Sequence, residues 1–361
     1  MIGIGIDIGA TNTKMAVVNN AGKILKETKF RTADYKTCGS FIKELCRITN
    51  EWKKEFDPAV KSIGMGIAGD VDPEKGILRF SPNLRGWKNV ELAGPVKKQT
   101  GLFCVLENDA NMAAWGAYAV ELKKKYKNVL AVTLGTGVGG GLIINGNLYH
   151  GSNGSAGEIG HVKIAEGGRI CHCGAGGCME AYVGSYALMD YAASLIRDTG
   201  AFVRKYSGPE QRASGGTAAL RPQVSEAMPT TSSGVGRSPR HQPGWCGGYA
   251  ARPERVKFNT ICLTRAAAGK NKTALKIWHE FGVNLGKGLS GAVLILNPAS
   301  LVFTGGVSKA SKYFMSGLKE VFSRQTIKTP FERLKIVVSQ NADLGCLGAA
   351  LFGIEKYINL E

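Results

Sequence analysis

Residues 2–7 alternate isoleucine with glycine, a pattern that suits a strand, and run into the turn Gly9-Ala10-Thr11-Asn12. Residues 13–18 read as a second strand closing a hairpin on that turn, and residues 23–31 as a third. Phe41, Leu45, Ile48 and Trp52 then recur at helical spacing, and the short apolar run 62–68 reads as a buried strand. The order strand, strand, strand, helix, strand is the opening of an RNase H-like lobe. A related order returns further on. The apolar run 129–134 ends in Gly135-Thr136-Gly137, residues 142–144 continue as strand, and Asn145-Gly146-Asn147 makes the next turn. Strand, Gly/Thr turn, strand, twice in one chain, predicts a duplicated α/β architecture: two RNase H-like, actin-like ATPase lobes, each a mixed sheet flanked by helices, with a cleft between them.

The remaining pattern fills in these lobes. The apolar run 102–106 meets a helix expected over 110–119, and another helix follows Tyr186 to about Asp198. Leu275, Trp278, Phe281, Leu285 and Leu289 share one face of a long helix. Residues 301–304 read as a buried strand leading into Gly305-Gly306, 313–324 as a helix, 335–339 as a strand and 347–358 as a closing helix. The expected division is a smaller lobe over 1–117, joined by the C-terminal helix 345–361, and a larger lobe over 118–344.

One stretch breaks the pattern. From about 201 to 260 no helical or alternating period is visible, and six of the twelve prolines fall there. The same stretch holds nine basic residues against three acidic ones. A loop of that length is unusual inside a compact domain. It reads either as a disordered basic insertion or as an out-of-frame stretch of the coding sequence.

Composition changes the picture less. The formal net charge of +18 invites a polyanion partner. The lysines are dispersed, however, and the tight cluster Lys123-Lys124-Lys125 reads as a solvated helix face, so no nucleic-acid partner is expected. No run approaches the 18 or so apolar residues of a membrane span. The N-terminus lacks the basic lead and cleavage site of a secretory signal, so the expected location is the cytoplasm. Six of the nine cysteines are scattered and read as free thiols.

Candidate chemistry lies in the turns. Phosphate needs close backbone approach, hydroxyl or amide donors and a cation. Gly9, Thr11 and Asn12 can supply donors, and Asp7 at the strand end is placed to hold Mg²⁺. Gly135-Thr136-Gly137 repeats the donor set. Neither turn has P-loop spacing, and no dinucleotide-binding glycine signature follows a strand. Asn108-Asp109 stands where a strand meets a helix. Either residue suits a helix cap, while Asp109 also suits a general base, because phosphoryl transfer to an alcohol needs an acceptor for the hydroxyl proton. Finally, Cys171, Cys173 and Cys178 follow His161 at a spacing that fits a closed Cys₃His zinc site. His172 is the rival nitrogen ligand. A closed site is structural, and its work would be to fix Glu158, His161 and Glu180 in one pocket.

On these residues the chain resembles the ROK family (repressors, open reading frames and kinases), and within it the bacterial ATP-dependent glucokinases. The resemblance rests on residues 7–14, Pro82-Asn83-Leu84-Arg85-Gly86-Trp87, Glu107-Asn108-Asp109, residues 134–141, Glu158-Ile159-Gly160-His161 and the cysteine loop ending at Glu180. It implies an ATP-dependent hexose kinase acting at the 6-hydroxyl of glucose, with N-acetylmannosamine or N-acetylglucosamine as alternative acceptors. A sugar-sensing regulator is the other alternative, disfavoured because the phosphate turn begins at Asp7. It implies that Asn83, Asn108, Asp109, Glu158, His161 and Glu180 hold the sugar, with Asp109 as base. It places ATP phosphates between the turns at Thr11 and Thr136, with Lys14 on the first turn's strand, and the nucleoside near Gly305 and Gly306. It also implies a homodimer or homotetramer. Two departures stand out: Ala10 replaces a glycine common in the phosphate turn, and residues 201–260 match nothing expected there.

Overall fold

The computed structural model of the chain describes residues 1–84, 86–208 and 258–360. The chain divides into two compact units, Met1–Leu188 with Lys276–Glu361, and Met189–Leu275.

In the first unit β1 (Ile2–Ile8), β2 (Asn12–Asn19) and β3 (Ile24–Arg31) form an antiparallel meander. Helix α1 (Cys38–Phe56) follows, opened by a capping box in which the Thr37 hydroxyl accepts the Ser40 N–H at 3.1 Å. Its predicted stripe Phe41, Leu45, Ile48 and Trp52 is buried against the sheet. The chain then enters β4 (Val60–Ile67), parallel to β1. A small antiparallel sheet of β5 (Asp70–Asp72), β6 (Ile77–Phe80) and β7 (Lys88–Glu91) is inserted before α2 (Ala93–Thr100). The chain returns through β8 (Phe103–Asn108), parallel to β4, and turns directly into α3 (Asp109–Gly116). The first sheet has the order β3-β2-β1-β4-β8.

The second sheet repeats this plan. Strands β9 (Val129–Leu134), β10 (Val138–Ile144) and β11 (Asn147–Leu148) make the meander. The short α4 (Glu180–Val183) and then α5 (Ser185–Leu195) follow. In the second unit α6 (Thr199–Tyr206) and α7 (Thr260–Ala268) are each capped by a side chain, Asp198 accepting from Ala201 N–H and Asn259 from Cys262 N–H. The long α8 (Lys272–Leu296) leads to β12 (Ser300–Thr304), α9 (Ser311–Ser323), α10 (Thr329–Glu332), β13 (Lys335–Val338) and α11 (Leu344–Ile358). With β12 parallel to both β9 and β13, the order is β11-β10-β9-β12-β13. The two sheets therefore share order and sense, as the repeated sequence pattern predicts.

One expectation is corrected. Order does not end at Ala201: residues 201–206 continue α6, held by the Asp198 cap and by the buried Phe202 and Val203. An eight-residue helix shows too few turns for its period to stand out. Residues 209–257, the body of the unpatterned stretch, lie outside the described residues.

Helices α3 and α11 pack together and meet strands of both sheets. Met112, Ala114 and Trp115 of α3 share a core with Val129, Ala131 and Ile143 of the second sheet and with Phe352 of α11. Against the first sheet, α11 lies so close that a Cβ on Gly64 would overlap the Ala349 carbonyl, while one on Gly348 would overlap the Met112 carbonyl. These are backbone-to-backbone approaches, with no flexible side chain to give way. Gly64→Ala should therefore lower stability by about 1–3 kcal/mol or more, the usual cost of overpacking. The urea midpoint reads the effect, and a parent-like midpoint would show that α11 can simply shift.

Candidate active site

The junction between β8 and α3 shows which of the two residues caps the helix. Asn108 is the cap: its side-chain oxygen accepts the N–H groups of Ala110 (2.9 Å) and Asn111 (3.2 Å), and its amide nitrogen donates to the Gly69 carbonyl (3.0 Å). Asp109 is the first helical residue. One of its oxygens accepts the Ala110 N–H at 2.9 Å, and no cation pairs with it among the described residues. Burial raises its pKa, opposed by the backbone N–H groups that reach it.

Asp109 faces a cavity of about 670 Å³ built where strands of both sheets end. From the first sheet come Asp7, the 68–70 turn after β4, Asn108 and Asp109; from the second come Gly135-Thr136-Gly137 after β9 and Gly305-Gly306 after β12. Sites in open α/β sheets form at such carboxyl ends. In each turn the leading glycine closes the loop, over different spans: Gly9 N–H donates to the Asn12 carbonyl three residues on and Gly135 N–H to the Gly137 carbonyl two residues on, both at 3.1 Å. Gly305 has φ +87°, and a Cβ there would overlap the Leu134 carbonyl, so the chain can pass this close to β9 only as glycine. Across the cavity Asp7 has its pKa raised to about 6, first by burial, then by the Asp109 carboxylate, with Lys14 opposing. Glu158, at the head of the turn Ile159–His161, is likewise raised by burial, with His161 opposing.

Glu180 opens α4 and reaches the same cavity, where one oxygen accepts the Val138 N–H at 2.9 Å and the other lies 3.3 Å from the Cys171 sulfur. That sulfur belongs to the predicted cluster. The ligand atoms of His161, Cys171, Cys173 and Cys178 all lie within 4.8 Å of one another. The Cys173–Cys178 sulfurs are 3.7 Å apart and the Cys171 sulfur is 3.8 Å from His161 Nδ1. Zinc–sulfur bonds of about 2.3 Å in a tetrahedron require sulfurs about 3.8 Å apart. The donor set therefore fits a zinc ion. Glycines make the loop short enough: Gly174 and Gly177 have φ of +86° and +79°. His172, the rival ligand, stacks on Tyr186 instead, with ring centroids 3.7 Å apart. His161 Nε2 points the other way, 3.8 Å from Glu158.

Of the residues singled out in the sequence, the cavity brings together Asp7, Asn83, Asn108, Asp109, Gly135, Thr136, Gly137, Glu158, His161, Glu180, Gly305 and Gly306. Gly9, Thr11, Asn12 and Lys14 do not line it. Lys14 is held by Asp343 (2.5 Å) and Glu27 (2.9 Å). The sequence reading missed Lys309, which lines the cavity just beyond Gly305-Gly306, and the 339–345 segment before and at the start of α11. A lysine three residues past a Gly-Gly turn on a strand end was the available signal for the first. Nothing local signals the second.

Comparison with known proteins gives the family. The chain is 29% identical over 348 residues to the glucokinase of Thermotoga maritima, covering 96% of this chain and 95% of that one. It is 32% identical over 197 residues to an N-acetylmannosamine kinase of Vibrio cholerae, covering 54% and 66%. Among solved structures it is similar to a ROK family glucokinase from Streptomyces griseus in complex with glucose and AMPPNP, at 27% identity and a TM-score of 0.70, covering 98% of this chain and all of that one. The paired mixed sheets are those of the actin-like ATPase fold. The ROK family model matches residues 3–356, and the chain belongs to the ROK family.

Proposed function

We propose that the chain is an ATP-dependent hexose kinase of the cytoplasm, phosphorylating the 6-hydroxyl of glucose. The observation that carries this reading is a half-buried carboxylate without a cation partner among the described residues, Asp109, facing a cavity walled by the strand-end turns Gly135-Thr136-Gly137 and Gly305-Gly306. In the proposed reaction the sugar 6-oxygen attacks the γ-phosphorus while its proton passes to Asp109. The bond from phosphorus to the β-phosphate oxygen breaks, and ADP leaves. Asn83, Asn108, Glu158, His161 and Glu180 hold the sugar hydroxyls. Asn108 keeps one amide hydrogen free for this beyond its bond to Gly69.

The backbone of Gly135-Thr136-Gly137, with Gly305, Gly306 and Lys309, receives the nucleotide, and Asp7 would hold Mg²⁺. That ion, when bound, neutralises charge on the phosphate oxygens. The first turn, Gly9, Thr11 and Asn12, together with Lys14, stands outside the cavity wall and enters this reading only through closure of the smaller lobe (1–117 with 345–361) on the larger (118–344). Closure would exclude water, the competing phosphate acceptor. The 197-residue likeness to an N-acetylmannosamine kinase keeps N-acetylmannosamine or N-acetylglucosamine as the second acceptor class. Assembly as a homodimer or homotetramer is part of the same reading.

A coupled ADP-release assay across hexoses and N-acetylhexosamines tests the function. The expected result is sugar-dependent turnover highest on glucose, and ATP turnover that ignores every sugar would overturn it. In the same assay Asp109→Asn should lose about 10²–10⁴-fold in kcat, the usual share of a general base. Its sugar affinity and Tm should be nearly unchanged, because Asn108 supplies the cap. Asn108→Ala should instead lower stability by about 1 kcal/mol.

The pH profile follows from the raised pKa of the proposed base. Asp109 must be ionised to take the proton, and its pKa is raised. Activity should therefore fall as pH drops through that raised value, with the acid limb of kcat/KM above the ordinary Asp value of about 3.9. A profile flat to about pH 4 would remove Asp109 from the role.

His161, Cys171, Cys173 and Cys178 would hold one zinc ion, whose contribution is to fix the loop between His161 and Glu180. Metal analysis should find about one tightly held zinc per chain, and removing it with a strong chelator should weaken sugar binding. Full sugar affinity in zinc-free protein would separate the loop's shape from the metal.

A further inference from the structure

Glu107 immediately precedes the Asn108-Asp109 pair, yet it does not line the cavity that Asp109 faces. It is 3% exposed and sits on the other side of β8, at the wall of a second cavity of about 560 Å³. Both of its oxygens are used. One accepts the Asn108 N–H and the Asn111 side-chain amide, each at 3.3 Å, so it grips α3 at its cap and first turn. The other is hydrogen-bonded to His150 Nε2. His150 in turn begins the loop that delivers the sugar-facing residues: its carbonyl accepts the Ala156 N–H at 3.0 Å, two residues before Glu158. Gly151, with φ +71°, packs against Ala156 and folds this segment on itself.

A buried carboxylate that stabilised the fold alone would need a partner of no particular address. Here the partners are the cap of the helix that bears the proposed base and the root of the loop that bears Glu158 and His161. These two segments come from different sheets, and their separation decides whether a sugar held by one is in reach of the base on the other. We propose that Glu107 and His150 form a strut of positioning residues that sets the distance between Asp109 and the Glu158–His161 loop, and so aligns the sugar 6-hydroxyl with its base. This rests on the hexose-kinase reading above. The pair touches neither substrate and acts through Asn108, Asn111 and the 150–156 segment.

Misplacing a reacting group by about 1 Å can cost about 10²-fold in rate. His150→Ala should therefore lower kcat on the parent's best sugar by about 10–10²-fold, counted per sugar-binding site by calorimetric titration, with KM for ATP within about threefold of the parent. His150→Gln retains a donor towards Glu107 and should recover most of the loss. Glu107→Asp keeps the charge, shortens the strut by one methylene and should lose kcat as His150→Ala does, which supplies an answer if that variant does not fold. Hydrogen exchange followed by mass spectrometry should show faster exchange in both 108–113 and 150–158 in the impaired variants. A merely structural role predicts loss of competent sites with parent-like kcat per site, and that outcome overturns the strut. So does His150→Gln as impaired as His150→Ala, or exchange that rises in one segment only. Should the parent itself turn over no sugar, the kinase reading falls, and the paired exchange response still decides whether the strut exists.

Discussion

The close approach of α3 and α11 to the sheets is the constraint on which the site depends. Backbone meets backbone at Gly64 and Gly348, and Gly141 of β10 comes against Ala114 of α3. Only residues without a Cβ, or with a single methyl, let one helix pair touch a parallel strand of the first sheet and the meander of the second together. Because α3 begins at Asp109, the position of its axis is also the position of that carboxylate. A wider spacing would leave two sound sheets and no shared cavity. Rigidity in this layer is what allows so few polar side chains to be placed to within fractions of an ångström.

Electrostatics follow from that placement. The cavity wall carries the carboxylates Asp7, Asp70, Asp109, Glu158 and Glu180, against which stand Lys309 and His161. Asp70 is matched by Arg79 at 3.0 Å, and Glu180 is satisfied in part by the Val138 N–H. Asp7 and Asp109 have no cation bonded to them among the described residues, and burial raises the pKa of each, that of Asp7 to about 6. Two half-buried carboxylates sharing one space favour a bound cation or a bound proton. The proposed reaction would use both, a proton passing to Asp109 and a divalent cation held by Asp7.

Much of this was legible in the sequence because the signals were local. Alternation ending in a Gly/Thr turn marks β1–β2 and β9–β10, and three cysteines within eight residues mark the Cys/His cluster. The three-to-four-residue strands β5, β6 and β7 escaped, since two alternations are indistinguishable from chance. Asn108 and Asp109 could not be separated, because both cap helices equally well and only the hydrogen bonds decide. In the sequence Lys14 goes with the nucleotide site because it belongs to the first turn's motif. Its partner Asp343 lies 329 residues away, beyond any local pattern. The Glu107–His150 pair, 43 residues apart, was hidden for the same reason.

The charge of the cavity also limits how the nucleotide can enter. A triphosphate brings negative charge to a wall that already holds carboxylates, and the formal +18 of the whole chain does little to offset this. Dispersed surface charges are screened beyond about 8–10 Å at physiological salt, whereas groups inside a partly enclosed cavity are screened much less. The local balance therefore governs. Among the described residues Lys309 is the lysine that lines the cavity, and its single charge cannot offset the carboxylates of the wall. On the proposed reading, a divalent cation near Asp7 would supply the missing positive charge.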